Sequence, residues 1–242
     1  MRQLRFLHRA YKARFRDQRT EIRALTEALR PNEIAVDIGA NKGSYLLWLS
    51  RAVPLGRVVA FEPQPGLAAY LVRACAAANL ANVQVEASGV SNVQGTKALH
   101  LPGGMESPGA SFESPGPDRE GEASIDVPLV TLDSYFAGES RRIGAMKIDV
   151  EGHELSVIQG GTNILQQHGP LLVLECESRH SSGGDVRIVL DLLRSMRYDG
   201  FFVHRSRLVP LSEFRQEIHQ RHSGENYWNS RDYCNNFVLS KR

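Results

Sequence analysis

Nowhere does the chain string together the roughly 18 apolar residues that a membrane-crossing helix requires, so a membrane span is excluded on physical grounds. No apolar core of signal-peptide type lies near Met1 either, and a cytoplasmic setting is the expectation. Cysteine is scarce. Cys75, Cys176 and Cys234 are odd in number and far apart, which fits reduced thiols and neither a disulfide scaffold nor a zinc framework. Internal repeats are absent. Net charge is small as well: 29 Lys and Arg against 27 Asp and Glu gives +2, too little to draw the whole molecule to a polyanion. With 242 residues, 42% of them apolar, one large α/β domain is the economical reading.

What charge there is sits at one end. The first 30 residues hold nine basic side chains (Arg2, Arg5, Arg9, Lys12, Arg14, Arg16, Arg19, Arg23, Arg30) against Asp17, Glu21 and Glu27, so this arm is +6 and the remainder −4. Leu4, Leu7, Tyr11, Phe15, Ile22, Leu25 and Leu29 recur at steps of three, four or seven, predicting a helical arm over 1–30 with one apolar stripe. Packing of that stripe on the domain or on a partner copy ranks first. Peripheral contact with an anionic membrane surface or nucleic acid ranks lower, and the acid-poor, Arg-rich start keeps a mitochondrial presequence in view.

From Pro31 to the end, short apolar runs alternate with helical stretches, as in a parallel sheet covered on both faces. Strands are expected near 33–38, 57–61, 83–87, 145–149 and 171–176, and helices over 44–52, 66–79, 154–167 and 185–196. Lys97–Leu101 and Ala123–Val130 read as extra strands. The Gly-, Pro- and Ser-rich segment 102–128 reads as a flexible loop, with Phe112 its one aromatic residue.

Two motifs carry chemistry. Asp37-Ile-Gly-Ala-Asn-Lys-Gly43 follows an apolar run, and Gly39 and Gly43 allow the backbone to approach a ligand at a helix start. Glu62 then ends the second strand, where ribose hydroxyls need an acceptor, and Glu62-Pro63 offers it few local amides. The turn reads G-x-N-x-G without the last glycine of the dinucleotide fingerprint, so one nucleoside with a charged tail suits it better than a pyrophosphate. Asp37 suits the ligand's α-amino group, and Ser88 and Gly89 fall where a base could lie. The second motif is Lys147-Ile-Asp-Val-Glu-Gly-His-Glu154. Strand alternation places Lys147, Asp149 and Glu151 on one side of a strand that should be buried, and buried charges need partners or a task. His153 could accept a proton near neutral pH. Glu175 and Glu177 add carboxylates to the same rim, which runs on to His180; nothing in their spacing assigns a metal.

Taken together and in this order, Val36-Asp-Ile-Gly-Ala-Asn-Lys-Gly-Ser-Tyr45, Gly56-Arg-Val-Val-Ala-Phe-Glu-Pro-Gln-Pro65, Thr131-Leu-Asp133, Lys147–Glu154 and Leu174-Glu175 resemble the FkbM family of S-adenosylmethionine-dependent methyltransferases, from about Pro31 to Leu239. The resemblance implies a class I methyltransferase (Rossmann-like) sheet of seven strands with helices on both faces, the last strand antiparallel and formed by Asn236–Ser240. It implies O-methylation of a hydroxyl on a sugar, glycolipid or secondary metabolite. Asp37, Gly39, Ala40, Asn41, Gly43, Glu62, Ser88 and Asp149 would bind S-adenosyl-L-methionine, and His153, Asp149, Glu151 and Glu175 would stand beside the transferred methyl. Asn92 departs from the family by replacing an acid. The partner implied is a small-molecule, carbohydrate or lipid-linked acceptor, with nucleic acid disfavoured because the chain after Arg30 is net acidic. Two rivals stand beside it: a nicotinamide-dependent oxidoreductase on the same kind of sheet, and a non-catalytic binding module with a basic docking arm.

Overall fold

The structure is a computed structural model that describes residues 2–104, 106–107, 109–113, 123–180 and 184–242. The chain opens with α1 (Arg2–Lys12), a π-helical turn (Ala13–Asp17) and α2 (Arg19–Ala28). Then come β1 (Ile34–Ile38), α3 (Leu46–Ala52), β2 (Arg57–Phe61), α4 (Pro65–Ala77), β3 (Val83–Glu86), β4 (Gly89–Val90), β5 (Gly95–Leu101) and β6 (Ala123–Val130). After α5 (Leu132–Tyr135) follow β7 (Ile143–Ile148), α6 (Glu154–Gln159), α7 (Thr162–His168), β8 (Leu171–Glu175) and α8 (Arg187–Ser195). The chain finishes with β9 (Tyr198–His204), β10 (Arg207–Pro210), α9 (Gln216–His219) and β11 (Asn236–Lys241).

Eight strands form one sheet in the order β10-β9-β11-β8-β7-β1-β2-β3. β1, β2, β3, β7 and β8 pair in parallel, whereas β11 runs against both β8 and β9. β1 and β7 are buried at every position, as central strands covered on both faces must be. The reversed strand is the one expected at 236–240. An eighth strand was not expected: β10 folds back on β9 as an edge hairpin through Arg205 and Ser206, both left-handed at φ 49° and 61°. β4, β6 and β5 make a small second sheet beside the carboxyl ends of the large one.

Three expectations need correction. The helix expected over 154–167 is two helices, because Gly160 meets the backbone of Ser91 and Gly161 meets Leu132, and the chain turns between them. The loop expected over 102–128 is shorter at its far end, since Ala123–Val130 is β6; residues 105, 108 and 114–122 lie outside the described residues. On the arm, the buried stripe up to the first residue of the π-turn is Phe6, Ala10 and Ala13, while Leu4, Tyr11 and Phe15 are 71%, 44% and 64% exposed. Trp48 explains the shift: its indole donates to the carbonyl of Ala10 at 2.8 Å over small residues, and Tyr11 and Phe15 pack edgewise on its outer side. Ile22 and Leu25 are buried as expected. The arm shares one core with Ala35, Leu46, Leu49, Val58 and Val173, so it covers one face of the sheet; the other face is covered by α6, α7 and α8. Among the described residues no helix is long and apolar enough to cross a membrane.

Candidate active site

At the carboxyl end of β1 the chain must pass very close to β7. A Cβ on Gly39 (φ 77°) would strike the carbonyl oxygen of Asp149, so only glycine fits this crossing. Gly39 and Ala40 donate their amides to Phe61 O at 3.0 Å, which ties the turn to the end of β2. Asn41 is left-handed at φ 47° and its amide donates to Glu62 Oε2 at 2.7 Å. The second Glu62 oxygen accepts the Gln64 amide at 2.9 Å. Few local amides were expected for Glu62, and Gln64 supplies one; with the distant Asn41 amide it fastens the β1 and β2 turns together. Burial pushes its carboxyl above the ordinary value, and the two amides pull the other way.

These turns border a cavity of about 260 Å³ at the carboxyl ends of the parallel strands. Gly39, Asn41, Glu62, Ser88, Asp149, Glu151 and Glu175 all line it, as the sequence leads one to expect. Ala40, Gly43, Asp37 and His153 do not. Gly43 (φ 77°) is a packing glycine, because a Cβ there would come within 2.8 Å of Phe6 and 2.9 Å of Leu71. Asp37 is completely buried beneath the turn, where Lys147 reaches it at 3.3 Å and Asp149 at 3.2 Å while donating to Gly39 O at 2.7 Å. Burial alone would depress the Lys147 ammonium, but Asp149 and Asp37 outweigh it and hold the group charged. Asp37 therefore acts through Lys147, as an anchor for the ammonium that positions Asp149.

His153 likewise lies off the cavity lining. It is buried, with Nδ1 2.9 Å from Glu113 Oε1, Nε2 3.0 Å from Ser91 Oγ and its ring 5.0 Å from that of Phe112. Burial lowers its pKa, against the pull of Glu113. With both ring nitrogens engaged, it serves to pin the loop after β5 onto the turn after β7. Ser111 does the same by donating to Glu151 O at 2.6 Å, and Phe112 enters the cavity wall against Gly89, where a Cβ would lie 2.5 Å from its ring.

The rim of β8 supplies what the sequence motif does not. His180 Nδ1 stands 2.5 Å from Glu151 Oε2, and Gly152 (φ 96°) must be glycine because the His180 carbonyl lies against it. Glu151 itself is left-handed at φ 49°. Such strain in a non-glycine residue is held by its surroundings, and here it aims a carboxylate at an imidazole. Glu175 accepts from Asn235 Nδ2 at 2.8 Å, and burial, with Asp149 and Glu151 nearby, drives its carboxyl well above the ordinary range. Gln18, at the end of the π-turn, also lines the cavity. No sequence signal marked Gln18, since only the fold brings the arm there; His180 was visible on the rim but not as a partner of Glu151.

Charge decides what the cavity can hold. Four acidic side chains line it, and among the described residues Lys42 is the sole cationic side chain in the wall. A diphosphate would be repelled, which removes the basis for the nicotinamide reading. A ligand carrying positive charge matches this lining better, because the acids would offset that charge. Among the described residues no group of three or more His, Cys, Asp or Glu is arranged to hold a metal ion.

This strand order with one reversed strand, and this acidic crevice at the strand ends, define a class I S-adenosylmethionine-dependent methyltransferase fold. Solved structures share it: a Streptococcus mutans protein crystallised with S-adenosylhomocysteine superposes with a TM-score of 0.51 at 13% identity, covering 93% of this chain and 97% of the other. A SAM-dependent methyltransferase from Aquifex aeolicus gives 0.50 at 15% identity, covering 98% and 97%. Within this class, the methyltransferase FkbM domain matches residues 37–200, and the chain belongs to that family. Methyltransferase sdnD of Sordaria araneosa is 31% identical over 159 residues, 54% of this chain and 61% of its own. Hexuronic acid methyltransferase AglP of Haloferax volcanii is 31% identical over 157 residues, 63% of this chain and 61% of its own. The chain thus spans about three fifths of the length of either relative.

Proposed function

We propose that the chain transfers a methyl group from S-adenosylmethionine to a hydroxyl of a sugar, glycolipid or small metabolite. The observation that carries this reading is the acidic cavity formed by Glu62, Asp149, Glu151 and Glu175 beside the Gly39–Asn41 turn. When bound, the cofactor supplies a methyl group already activated on a sulfonium centre. Gly39, Asn41, Glu62 and Ser88 would hold its nucleoside end, and the carboxylates would offset its charge. Positioning of the acceptor is the larger part of the task, because oriented groups reach effective molarities of about 10⁵ M or more. The remaining need is one proton acceptor. His180 Nδ1 stands 2.5 Å from Glu151 Oε2, an arrangement in which Nε2 would receive the hydroxyl proton, and help of this kind is worth about 10²- to 10⁴-fold. The acceptor class is supported by the Haloferax volcanii relative, a hexuronic acid methyltransferase. The buried, widely spaced thiols of Cys75 and Cys234 support a reducing, cytoplasmic setting.

Calorimetry with S-adenosylhomocysteine and with NADH tests the cofactor assignment: heat of association is expected from the first and none from the second. A folded chain that binds NADH instead, or neither, overturns the reading. His180→Ala should lower kcat by about 100-fold with the cofactor Kd within a factor of two, whereas a proportionate loss of cofactor binding would place His180 in the cradle.

A further inference from the structure

Beyond β8 the chain gathers aromatic side chains that the cofactor cradle does not use. Trp228 is 39% exposed, with the Arg179 guanidinium 5.0 Å from its ring centre. Tyr227 meets Trp228 edge-on at 5.1 Å, lies flat on His222 at 4.5 Å and tilts against Tyr233 at 5.6 Å. Leaving a tryptophan partly in water on top of packed rings adds little to stability, and such an exposed aromatic marks a contact surface. The cluster is fastened to the reaction rim. His222 Nε2 lies 3.0 Å from Ser178 Oγ, Tyr233 donates to Glu177 at 3.3 Å, and Arg179 forks onto Glu177. Asn235 then donates to Glu177 at 2.7 Å and to the cavity's Glu175 at 2.8 Å, so one amide joins the platform to the acidic wall.

We propose that this platform of Trp228, Tyr227 and Arg179 is the acceptor subsite and that its occupant is a sugar ring; the inference rests on the methyl-transfer reading above. A pyranose has an apolar C–H face that suits an indole, and an edge of hydroxyls that suits a planar donor. Arg179 spends Nε and Nη2 on Glu177, and among the described residues Nη1 meets no acceptor, which leaves a charge-assisted donor beside the ring. A carboxylated sugar would gain most from it. Nucleic acid fits poorly, because the chain after Arg30 is net acidic. The ring held there would present a hydroxyl toward His180, the next residue after Arg179.

The test uses the full chain with methyl glucuronide, methyl glucoside and catechol as probes, read by saturation-transfer NMR and tryptophan fluorescence, with S-adenosylhomocysteine binding measured in parallel. Both glycosides are expected to bind, the glucuronide more tightly, and Trp228→Ala should weaken them about tenfold with cofactor-product affinity unchanged. Trp228→Phe should restore most of the loss, because it keeps a ring. Glycosides that fail to bind the wild-type protein, or bind Trp228→Ala equally well, overturn the proposal, and so does catechol binding in their place. Glycoside binding without S-adenosylhomocysteine binding would sink the methyl-transfer reading and leave the sugar platform standing.

Discussion

Lys147 is the side chain on which the acidic crevice depends. It stands between a fully buried Asp37 and a cavity-lining Asp149, and each carboxylate would lose its compensating charge if the ammonium were removed. Breaking a buried pair by deleting one partner costs about 3 to 5 kcal/mol; with Asp149 partly exposed, the low end applies, and Lys147→Met should lose about 3 kcal/mol in denaturant unfolding. Glu154 makes the opposite case. Its carboxylate accepts the Gly152 amide at 2.9 Å, but burial pushes the group up to about 8. An unfolded glutamate titrates near 4.3, so between about pH 4.3 and 8 the folded state keeps a proton that the unfolded state releases. The protonated group's contribution is full below that window and is lost as pH rises through it. Glu154→Gln should therefore flatten the pH dependence and exceed the wild type by more than about 1 kcal/mol at pH 9. Equal pH profiles for the two proteins would show that Glu154 ionises freely.

The helical arm shows how an element can be legible in kind and misread in phase. Its helicity and its packing role follow from spacing, but which stripe is buried depends on Trp48, whose indole donates to the carbonyl of Ala10 in the same core as Ala13. Phe6 then closes over Gly43, and the arm seals the Ala35, Val58 and Val173 face of the sheet. Deleting residues 1–30 should for this reason abolish cooperative thermal unfolding and leave an aggregating product; a soluble truncated domain with a sharp transition would refute this packing role. Phe6→Ala should cost about 3 kcal/mol by the usual toll of emptying an aromatic site. Strands β1, β2, β7 and β8 are readable because unbroken apolar runs mark central parallel strands. β9 and β10 are not, since an edge pair carries Asp199, Gly200 and a 41%-exposed Phe201, and its register is set by the left-handed turn between them. The glycine turn and Glu62 are readable from spacing alone. Asp37 and His153 are not, because whether a polar side chain faces a cavity or a buried partner is settled by neighbours distant in sequence, here Lys147, Glu113 and Ser91.

Across the whole molecule the sheet collects acids at one end and meets them with little positive charge, so the crevice is poised to favour a cationic ligand. Glu175 is the most responsive member. Burial raises its carboxyl well above the ordinary value, and Asp149 and Glu151 add to that by repulsion. A sulfonium entering the cavity would lower the cost of ionising Glu175, so binding should release a proton, and by linkage affinity should rise with pH across the range in which Glu175 titrates. S-adenosylmethionine and S-adenosylhomocysteine differ in that one charge, which makes their ratio the informative quantity. As pH rises, the Kd of the product divided by the Kd of the donor should increase, and Glu175→Gln should make the ratio constant. Calorimetry in buffers of differing ionisation enthalpy reads the proton directly. A wild-type ratio that stays flat, with no proton released on binding the donor, would mean that Glu175 answers to Asn235 and Glu177 rather than to the ligand.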